Sequence, residues 1–174
     1  MINGFIFSID WIVFNSKLKK EKIILILSII VFSAPIFSII NIHPNQPVYF
    51  NVLAGKDPMT LFEGDAWGTS YRQGLEWIIE NDTRDSIMVS IHNSPGSRNR
   101  HMLPIIERKR LHFQFISGPG DINEIPGDYF ITNFYGEQRK LYFKAKNSIP
   151  PFDRESFSVN IGEMKILGLY KLDN

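Results

Sequence analysis

The sequence contains no cysteine. A disulfide-stapled scaffold, a zinc site built on thiolates and a cysteine nucleophile are therefore excluded. The sequence also lacks an excess of positive or negative charge, since it contains 19 basic and 18 acidic residues. General nucleic-acid binders usually carry a basic excess, so this balance argues against a nucleic-acid partner. The length of 174 residues fits one domain with little left over.

Motifs of the common catalytic and metal sites are also missing. The chain has no G-x-S-x-G elbow, no phosphate-binding P-loop and no H-E-x-x-H or H-x-x-H pair. Four histidines without metal-site spacing are interpreted as surface or internally hydrogen-bonded residues. They are His43, His92, His101 and His112. The sequence therefore predicts no metal site and no cofactor.

Charged residues are absent from Ile23 to Ile40, a run of 18 residues. As a helix, such a run is just long enough to cross about 30 Å of hydrocarbon, and we assign residues 23–41 to a transmembrane helix. Its three serines can bond back to helix carbonyls, and Pro35 is expected to kink it. A buried helix of a soluble protein is the weaker alternative, because such helices seldom stay uncharged for so long.

The residues that flank this segment predict its orientation. Residues 17–22 contain four lysines and one glutamate, whereas residues 41–51 contain neither lysine nor arginine. By the positive-inside rule the lysines stay in the cytoplasm, and the C-terminal part lies outside the inner or plasma membrane. A cleaved signal peptide fits less well, since the apolar run is too long and no small-x-small site follows it.

Another apolar stretch, Ile2 to Phe14, precedes the lysines and is interrupted by Asp10. It either spans the membrane as a second helix or lies in the interface with Trp11 at the headgroups. Residues 1–22 are therefore interpreted as an apolar segment followed by a cytoplasmic basic loop.

Two regions follow the membrane segment. Residues 42–68 are punctuated by proline and glycine, which predicts a connector with one extended piece, Val48 to Leu53. Residues 69–174 predict a small extracytoplasmic α/β domain, a mixed sheet with two packed helices. The predicted fold class is a membrane-anchored α/β protein with one N-terminal transmembrane helix, or two if the first apolar stretch also spans.

The elements of the domain follow from periodicity and from turn residues. A helix is predicted to begin at Ser70, which has the spacing of a capping box with Gln73. Its apolar stripe comprises Tyr71, Leu75, Ile78 and Ile79. A second helix is predicted from Arg100 to Lys109. Its inward residues are predicted to be Met102, Leu103 and Ile106. Strands are predicted at Ile87–Ile91, Leu111–Ile116, Asp128–Tyr135, Leu141–Lys144, Phe157–Ile161 and Lys165–Leu172, the last ones returning antiparallel.

Basic side chains gather around the predicted second helix. They are Arg98, Arg100, Arg108, Lys109 and Arg110. A solvated helix face is the favoured interpretation of this cluster. The functional alternative is a contact with lipid phosphates or with an anionic sugar carrier.

Glu63, Asp65 and Trp67 form the densest polar and aromatic group after the membrane segment. Paired carboxylates can bind a metal or act as acid and base, and an adjacent aromatic ring often stacks on a sugar. The favoured structural interpretation is that Asp65 caps a bend and Trp67 packs under the first helix of the domain.

Three segments that follow the membrane helix resemble parts of one enzyme family. They are His43-Pro44-x-Gln46-x-Val48-Tyr49-Phe50-Asn51, Phe62-Glu63-x-Asp65-x-Trp67-Gly68-x-Ser70-Tyr71-Arg72-Gln73-x-Leu75-Glu76-Trp77-Ile78 and Asp128-Tyr129-Phe130-Ile131-Thr132-Asn133. Together they resemble the C-terminal part of bacterial membrane glycosyltransferases of the protein-mannosyltransferase and lipid-A aminoarabinose-transferase group. Those enzymes transfer a sugar from a polyprenyl-phosphate carrier on the outer face of the membrane. The resemblance covers Ile23 to the C-terminus.

This resemblance implies a C-terminal fragment or subunit of such an enzyme that is inactive alone. The family's catalytic aspartate lies in a first outer loop without counterpart here, so no catalytic residue is carried over. The implied partners are membrane lipid, a multi-spanning glycosyltransferase and a polyprenyl-phosphate sugar. A free-standing, membrane-anchored binding module without catalysis is the alternative. The substrate-binding residues implied near the membrane face are His43, Tyr49, Asn51, Glu63, Asp65, Trp67, Tyr71 and Arg72.

Overall fold

The computed structural model describes residues 19–50, 64–116, 125–136, 139 and 151–172. Two compact units make up the chain, divided between His43 and Pro44. The first unit contains one described helix, and the second contains a five-stranded sheet with its helices. The predicted strand Leu141–Lys144 and the apolar stretch Ile2 to Phe14 lie outside the described residues.

Helix α1, Lys20–Asn41, corresponds to the predicted apolar helix and begins three residues before its uncharged run. Its 22 residues extend about 33 Å at 1.5 Å per residue. The hydroxyl of Ser33 donates to the carbonyl of Ile30 at 2.9 Å, which confirms the expected back-bonding. Among the described helices, α1 is the one with the length and apolar composition needed to cross a membrane. The membrane anchor itself stays a prediction.

The domain is built on a mixed, open sheet. Its strands are β1 Ile87–Ile91, β2 Leu111–Phe115, β3 Tyr129–Thr132, β4 Glu155–Ile161 and β5 Met164–Lys171. They lie in the order β2-β1-β3-β5-β4. Strand β1 pairs in parallel with both β2 and β3, whereas β5 is antiparallel to β3 and β4. The predicted partly parallel sheet with antiparallel final strands is therefore confirmed.

Helix α2, Tyr71–Asn81, covers one face of this sheet. Leu75 and Ile78 are fully buried, as the apolar stripe predicts. Gly74 lets the helix approach closely, because a Cβ there would lie 2.5 Å from the Ile131 side chain and 2.8 Å from that of Leu167. The helix therefore meets the sheet at its two central antiparallel strands, β3 and β5.

An aromatic cluster occupies the opposite face. Phe130 and Tyr170 lie on adjacent strands with ring centroids 6.1 Å apart, and Phe152 packs edge-on against Tyr170 at 5.3 Å. Because successive strand residues point to opposite faces, β3 can supply Phe130 here and Ile131 under α2. Both faces of β3 are consequently buried.

The predicted single helix from Arg100 to Lys109 is wrong. The chain instead forms α3, Ser94–Arg98, then a 3₁₀ turn at Asn99–Met102 and α4, Ile105–Arg108. Pro104 explains the break, because it cannot donate the backbone hydrogen bond that a continuing helix needs. Leu103 is buried as predicted, but Met102 and Ile106 are 62% and 79% exposed.

Several element ends also differ from the predictions. Gln46–Val48 forms a 3₁₀ turn, so Val48, which is fully buried, does not belong to the predicted extended piece Val48 to Leu53. Tyr49 is extended, and residues 51–53 lie outside the described residues. The predicted strand Asp128–Tyr135 is shorter, since the backbone leaves the sheet after Thr132. Ser70 makes no side-chain cap of α2, so the predicted capping box is wrong.

We expect Leu75→Ala to lower the free energy of unfolding of the domain by about 2–5 kcal/mol, since it leaves a cavity between α2 and the sheet. Chemical denaturation of the full chain in detergent, followed by near-UV circular dichroism, measures this loss. The matched control is Glu80→Ala on the exposed side of the same helix, with an expected change within about 0.5 kcal/mol. Equal effects of the two variants would contradict the assigned burial of α2.

Candidate functional site

The candidate site lies at the carboxyl edge of the parallel strands β1 and β3. The chain leaves β1 toward β2 on one side and later returns to form β3 on the other side. Such a topological switch point is where open α/β sheets bind ligands, just beyond the carboxyl ends of the strands. Here β1 continues into His92-Asn93, and β3 continues into Asn133-Phe134.

Asp65 is the centre of this edge and is 1% exposed. One carboxylate oxygen accepts hydrogen bonds from the amide of Thr69 at 2.9 Å and from its hydroxyl at 3.0 Å. The other oxygen accepts hydrogen bonds from the amide of Ser70 at 2.8 Å and from its hydroxyl at 2.5 Å. Both amides lie at the start of α2, where unsatisfied N–H groups favour a negative charge. Asp65 therefore has the structural role predicted for it as the cap of a bend.

Asn133 links this cap to the sheet. Its amide nitrogen donates to the backbone carbonyl of Asp65 at 2.5 Å. Its amide oxygen accepts from Asn93 at 2.9 Å and from the Tyr71 hydroxyl at a longer 3.4 Å. The side chain therefore joins the ends of β1 and β3 to the first turn of α2.

The first residues of the domain reach the same place. Asn45 is 4% exposed, and its side-chain oxygen lies 3.4 Å from the Thr69 hydroxyl that also donates to Asp65. Only Ile42, His43 and Pro44 separate Asn45 from α1 along the chain. We call Asn45, Asp65, Thr69, Ser70, Tyr71, Asn93 and Asn133 the edge network.

The backbone turns sharply where β3 ends. Phe134 has a φ of 55°, in the left-handed region that bulky residues rarely adopt. Its amide donates to the Thr132 hydroxyl at 3.1 Å, and the Tyr135 amide lies 3.4 Å from the Asn133 side-chain oxygen. The turn places Phe134, 2% exposed, in the aromatic cluster, so the unusual conformation has a packing role.

Burial controls protonation at this edge. It raises the pKa of the Tyr71 hydroxyl well above its usual range, because the ionised form would lose its hydration. Burial also lowers the pKa of His92 below its usual value. At neutral pH Tyr71 is a neutral hydrogen-bond donor and His92 is uncharged. Tyr71 therefore does not ionise to act as a base near neutral pH.

The other predicted site residues of the domain do not gather at the edge network. Trp67 is 80% exposed, so the prediction that it packs under the first helix is wrong. Arg72 is exposed and pairs with Glu76 at 2.7 Å on the surface of α2. Tyr49 is partly buried and ends the 3₁₀ turn, with its amide donating to the Gln46 carbonyl at 3.0 Å.

Three further positions cannot be assigned to the same place. His43 ends the first unit and is exposed there. Asn51 and Glu63 lie outside the described residues, so the predicted pairing of Glu63 with Asp65 is not described. Of the six predicted site residues that the structure describes, Asp65 and Tyr71 come together, both in contact with Asn133.

Asn93, Asn133 and Ser70 belong to this edge but were not among the predicted site residues. A signal for Asn93 exists in the sequence, because it comes two residues after the predicted strand Ile87–Ile91, whereas Asn133 lies inside the predicted strand Asp128–Tyr135. Polar residues directly after parallel strands meet at one edge of the sheet. No local pattern reveals that Asn133 bonds a carbonyl 68 residues away.

A second charged group lies at the amino edge of β1 and β3, beside a cavity of about 440 Å³. Arg84 donates to Asp82 and, at 2.6 Å, to Asp128, while Tyr129 donates to Asp82 at 3.1 Å. Arg84 holds the pKa of Asp82 far below its usual range, and the two carboxylates raise the pKa of Arg84. These charges satisfy one another, which is typical of a structural ion-pair network.

Arg110 belongs to the basic residues around the predicted second helix, but its side chain contacts the residues of this amino edge. Its guanidinium donates to Glu107 at 2.6 Å, to the Arg84 carbonyl at 2.9 Å and to the Asp82 carbonyl. Among the described residues, no group of three or more His, Asp or Glu side chains is placed to hold a metal ion.

Comparison with protein-family models, with curated proteins and with solved structures finds no match for this chain. The resemblance to membrane glycosyltransferases therefore depends on the three quoted segments and on how their residues meet.

We expect Asp65→Ala to lower the free energy of unfolding by about 2–4 kcal/mol, because it removes a helix cap and leaves buried hydroxyls without an acceptor. Chemical denaturation in detergent measures the loss. Asp85→Ala, at an exposed acid, is the control, with a change within about 0.5 kcal/mol expected. A loss no greater than the control's would show that Asp65 is not a structural cap.

The Asp82 network predicts a loss of stability in acid. Because folding lowers the pKa of Asp82 from its ordinary 3.8, its contribution is present above pH 3.8 and is lost as the pH falls toward the folded value. Below pH 4 the unfolding free energy of the native chain should fall as the pH falls. In Asp82→Asn the slope of this fall should be shallower, by at most about 1.4 kcal/mol per pH unit. Glu163→Gln, in the exposed turn between β4 and β5, should leave the slope unchanged. An unaltered slope in Asp82→Asn would refute the assignment.

Proposed function

We propose that this chain is a membrane-anchored, non-catalytic part of a glycosyltransferase that takes its sugar from a polyprenyl-phosphate carrier. The observation that carries the proposal is the edge network. The second and third segments that resemble the enzyme family are far apart in sequence, and each contributes matched residues to this one network.

Asn45, within the first segment, approaches Thr69 of the second, but both stand at unmatched positions of the quoted patterns. The second segment also supplies Asp65 and Tyr71, and the third supplies Asn133, which contacts both. The matched partners from the second and third segments are 62 and 68 residues apart. The second and third segments therefore meet in one structural unit, as a shared domain architecture requires.

The chemistry of the edge supports a role without catalysis. The Asp65 carboxylate is occupied by four hydrogen bonds and is almost completely buried. Tyr71 stays protonated because its hydroxyl is buried. A general acid or base needs an accessible group with a pKa near the working pH, and neither residue meets this requirement. The domain alone is therefore proposed to be inactive.

The connection to α1 supports a role at the membrane surface. Three residues separate the last helical residue from Asn45, the first member of the edge network. If α1 crosses the membrane, this short connection keeps the domain at the bilayer surface, where a lipid-linked sugar is presented. We propose that the domain helps to bind the acceptor or forms the roof of the active site of a multi-spanning partner.

Co-purification from native membranes tests this proposal. With a tag on the C-terminus, we expect a multi-spanning membrane protein with an acidic first outer loop to be recovered together with the chain. A tagged single-span protein unrelated to this chain is the control and should not recover that partner. The purified chain alone should show no sugar transfer from a polyprenyl-phosphate sugar.

Two results would contradict the proposal. Sugar transfer by the purified chain alone would show that it is catalytic. Recovery of the folded chain without any membrane partner would favour the alternative, a free-standing anchored binding module.

A further inference from the structure

The connection between β1 and β2 exposes large apolar side chains. Met102 is 62% exposed, Ile105 is 61% exposed and Ile106 is 79% exposed. These residues belong to the 3₁₀ turn and to α4, on either side of Pro104. In this stretch only Leu103 is buried. Consecutive exposed apolar residues of this size mark a surface that contacts something other than water.

The turn that carries Trp67 is fastened to the same connection. The carbonyl of Gly68 accepts from the Asn99 side chain at 3.0 Å, and Asn99 also bonds the Pro95 carbonyl at 2.8 Å. Gly68 has a φ of 68°, and a Cβ there would lie 2.6 Å from the Cβ of Pro95. Gly68, which directly follows the 80% exposed Trp67, is thus held against α3 and the 3₁₀ turn.

We call Trp67, Met102, Ile105 and Ile106 the apolar patch. The chain around it is strongly basic, since residues 94–110 contain five basic residues and one acidic residue. The acid, Glu107, pairs with Arg110 at 2.6 Å. Arg98 and Lys109 are exposed, and Arg108 is partly exposed. The guanidinium of Arg100 lies 5.7 Å from the centre of the Phe113 ring.

We propose that the apolar patch inserts into the headgroup region of an anionic phospholipid bilayer, with Arg98, Arg108 and Lys109 bound to lipid phosphates. Tryptophan and aliphatic residues beside a basic face are the composition of surfaces that lie in a membrane interface. The basic excess complements anionic headgroups, which attract each nearby Lys or Arg. The inference requires that α1 holds the chain at a membrane and does not depend on a glycosyltransferase partner.

Attachment through α1 makes such a contact easier. A tethered surface binds at the effective concentration that its tether sets, so weak side-chain insertion is enough to hold it in place. A bilayer contact would also account for the exposure of both Ile105 and Ile106. A four-residue helix cannot hide two consecutive large residues against one sheet.

The cysteine-free sequence permits a direct test by site-specific labelling. The full chain is reconstituted into phosphatidylcholine vesicles with or without phosphatidylglycerol. It carries an environment-sensitive fluorophore at Ile106→Cys or, as the matched control, at Glu163→Cys, which is exposed in the turn between β4 and β5. Spin-labelled lipids then report whether each fluorophore is in contact with the bilayer.

With phosphatidylglycerol present, we expect a blue shift and several-fold stronger lipid quenching at residue 106 than at residue 163. High salt or the pair Arg108→Glu and Lys109→Glu should reduce the quenching at residue 106, because charge attraction is screened or reversed. A second probe, at Met102→Cys, should behave as residue 106 does, which guards against a local effect of one label.

Quenching at residues 102 and 106 no stronger than at residue 163 would overturn the proposal. Equal quenching in vesicles without phosphatidylglycerol would also overturn it, because the contact would then not require anionic lipid. Protection of residue 106 only in native membranes would indicate a protein surface instead of lipid. These vesicles contain the chain alone, so failure here is separate from failure of the proposed enzyme association.

Discussion

The Asp65 carboxylate holds the first turn of α2, and the position of α2 determines how the rest of the domain packs. Two backbone amides and two hydroxyls converge on this one side chain, which fills its acceptor positions. The Asp65 carbonyl in turn receives the Asn133 amide from the end of β3. Once the start of α2 is attached to the sheet in this way, Leu75 and Ile78 are directed into the core, and Gly74 allows close contact with β3 and β5.

The same constraint explains why the switch point of the sheet is closed. A ligand would be expected beyond the carboxyl ends of β1 and β3, but the chain's own residues fill that place with a buried network. The exposed features lie next to it, on the turn of Trp67 and on the connection from β1 to β2. A buried, hydrogen-bonded edge therefore lies beside a basic and apolar surface.

The sequence predicted those parts of the fold that local periodicity controls. The α2 helix and the β1 strand were assigned correctly, because α2 has an apolar stripe and β1 is apolar except for Ser90. The helix predicted from Arg100 to Lys109 failed at Pro104, whose effect on the backbone outweighed the apolar spacing. The capping box failed because the Ser70 hydroxyl bonds Asp65 and not the backbone of its own helix. The contacts of Asn133 could not be predicted, since they join residues that only the folded sheet brings together.

The central claim is that α1 crosses a membrane and leaves the domain on its outer face. Labelling of single-cysteine variants in intact cells with a membrane-impermeant thiol reagent tests it most directly, because the native chain has no thiol background. The account predicts that Glu163→Cys is labelled in intact cells, whereas Lys19→Cys is labelled only after the membrane is permeabilised. Labelling of Lys19→Cys but not Glu163→Cys in intact cells would reverse the orientation. Recovery of the chain in the soluble fraction would contradict the anchor itself.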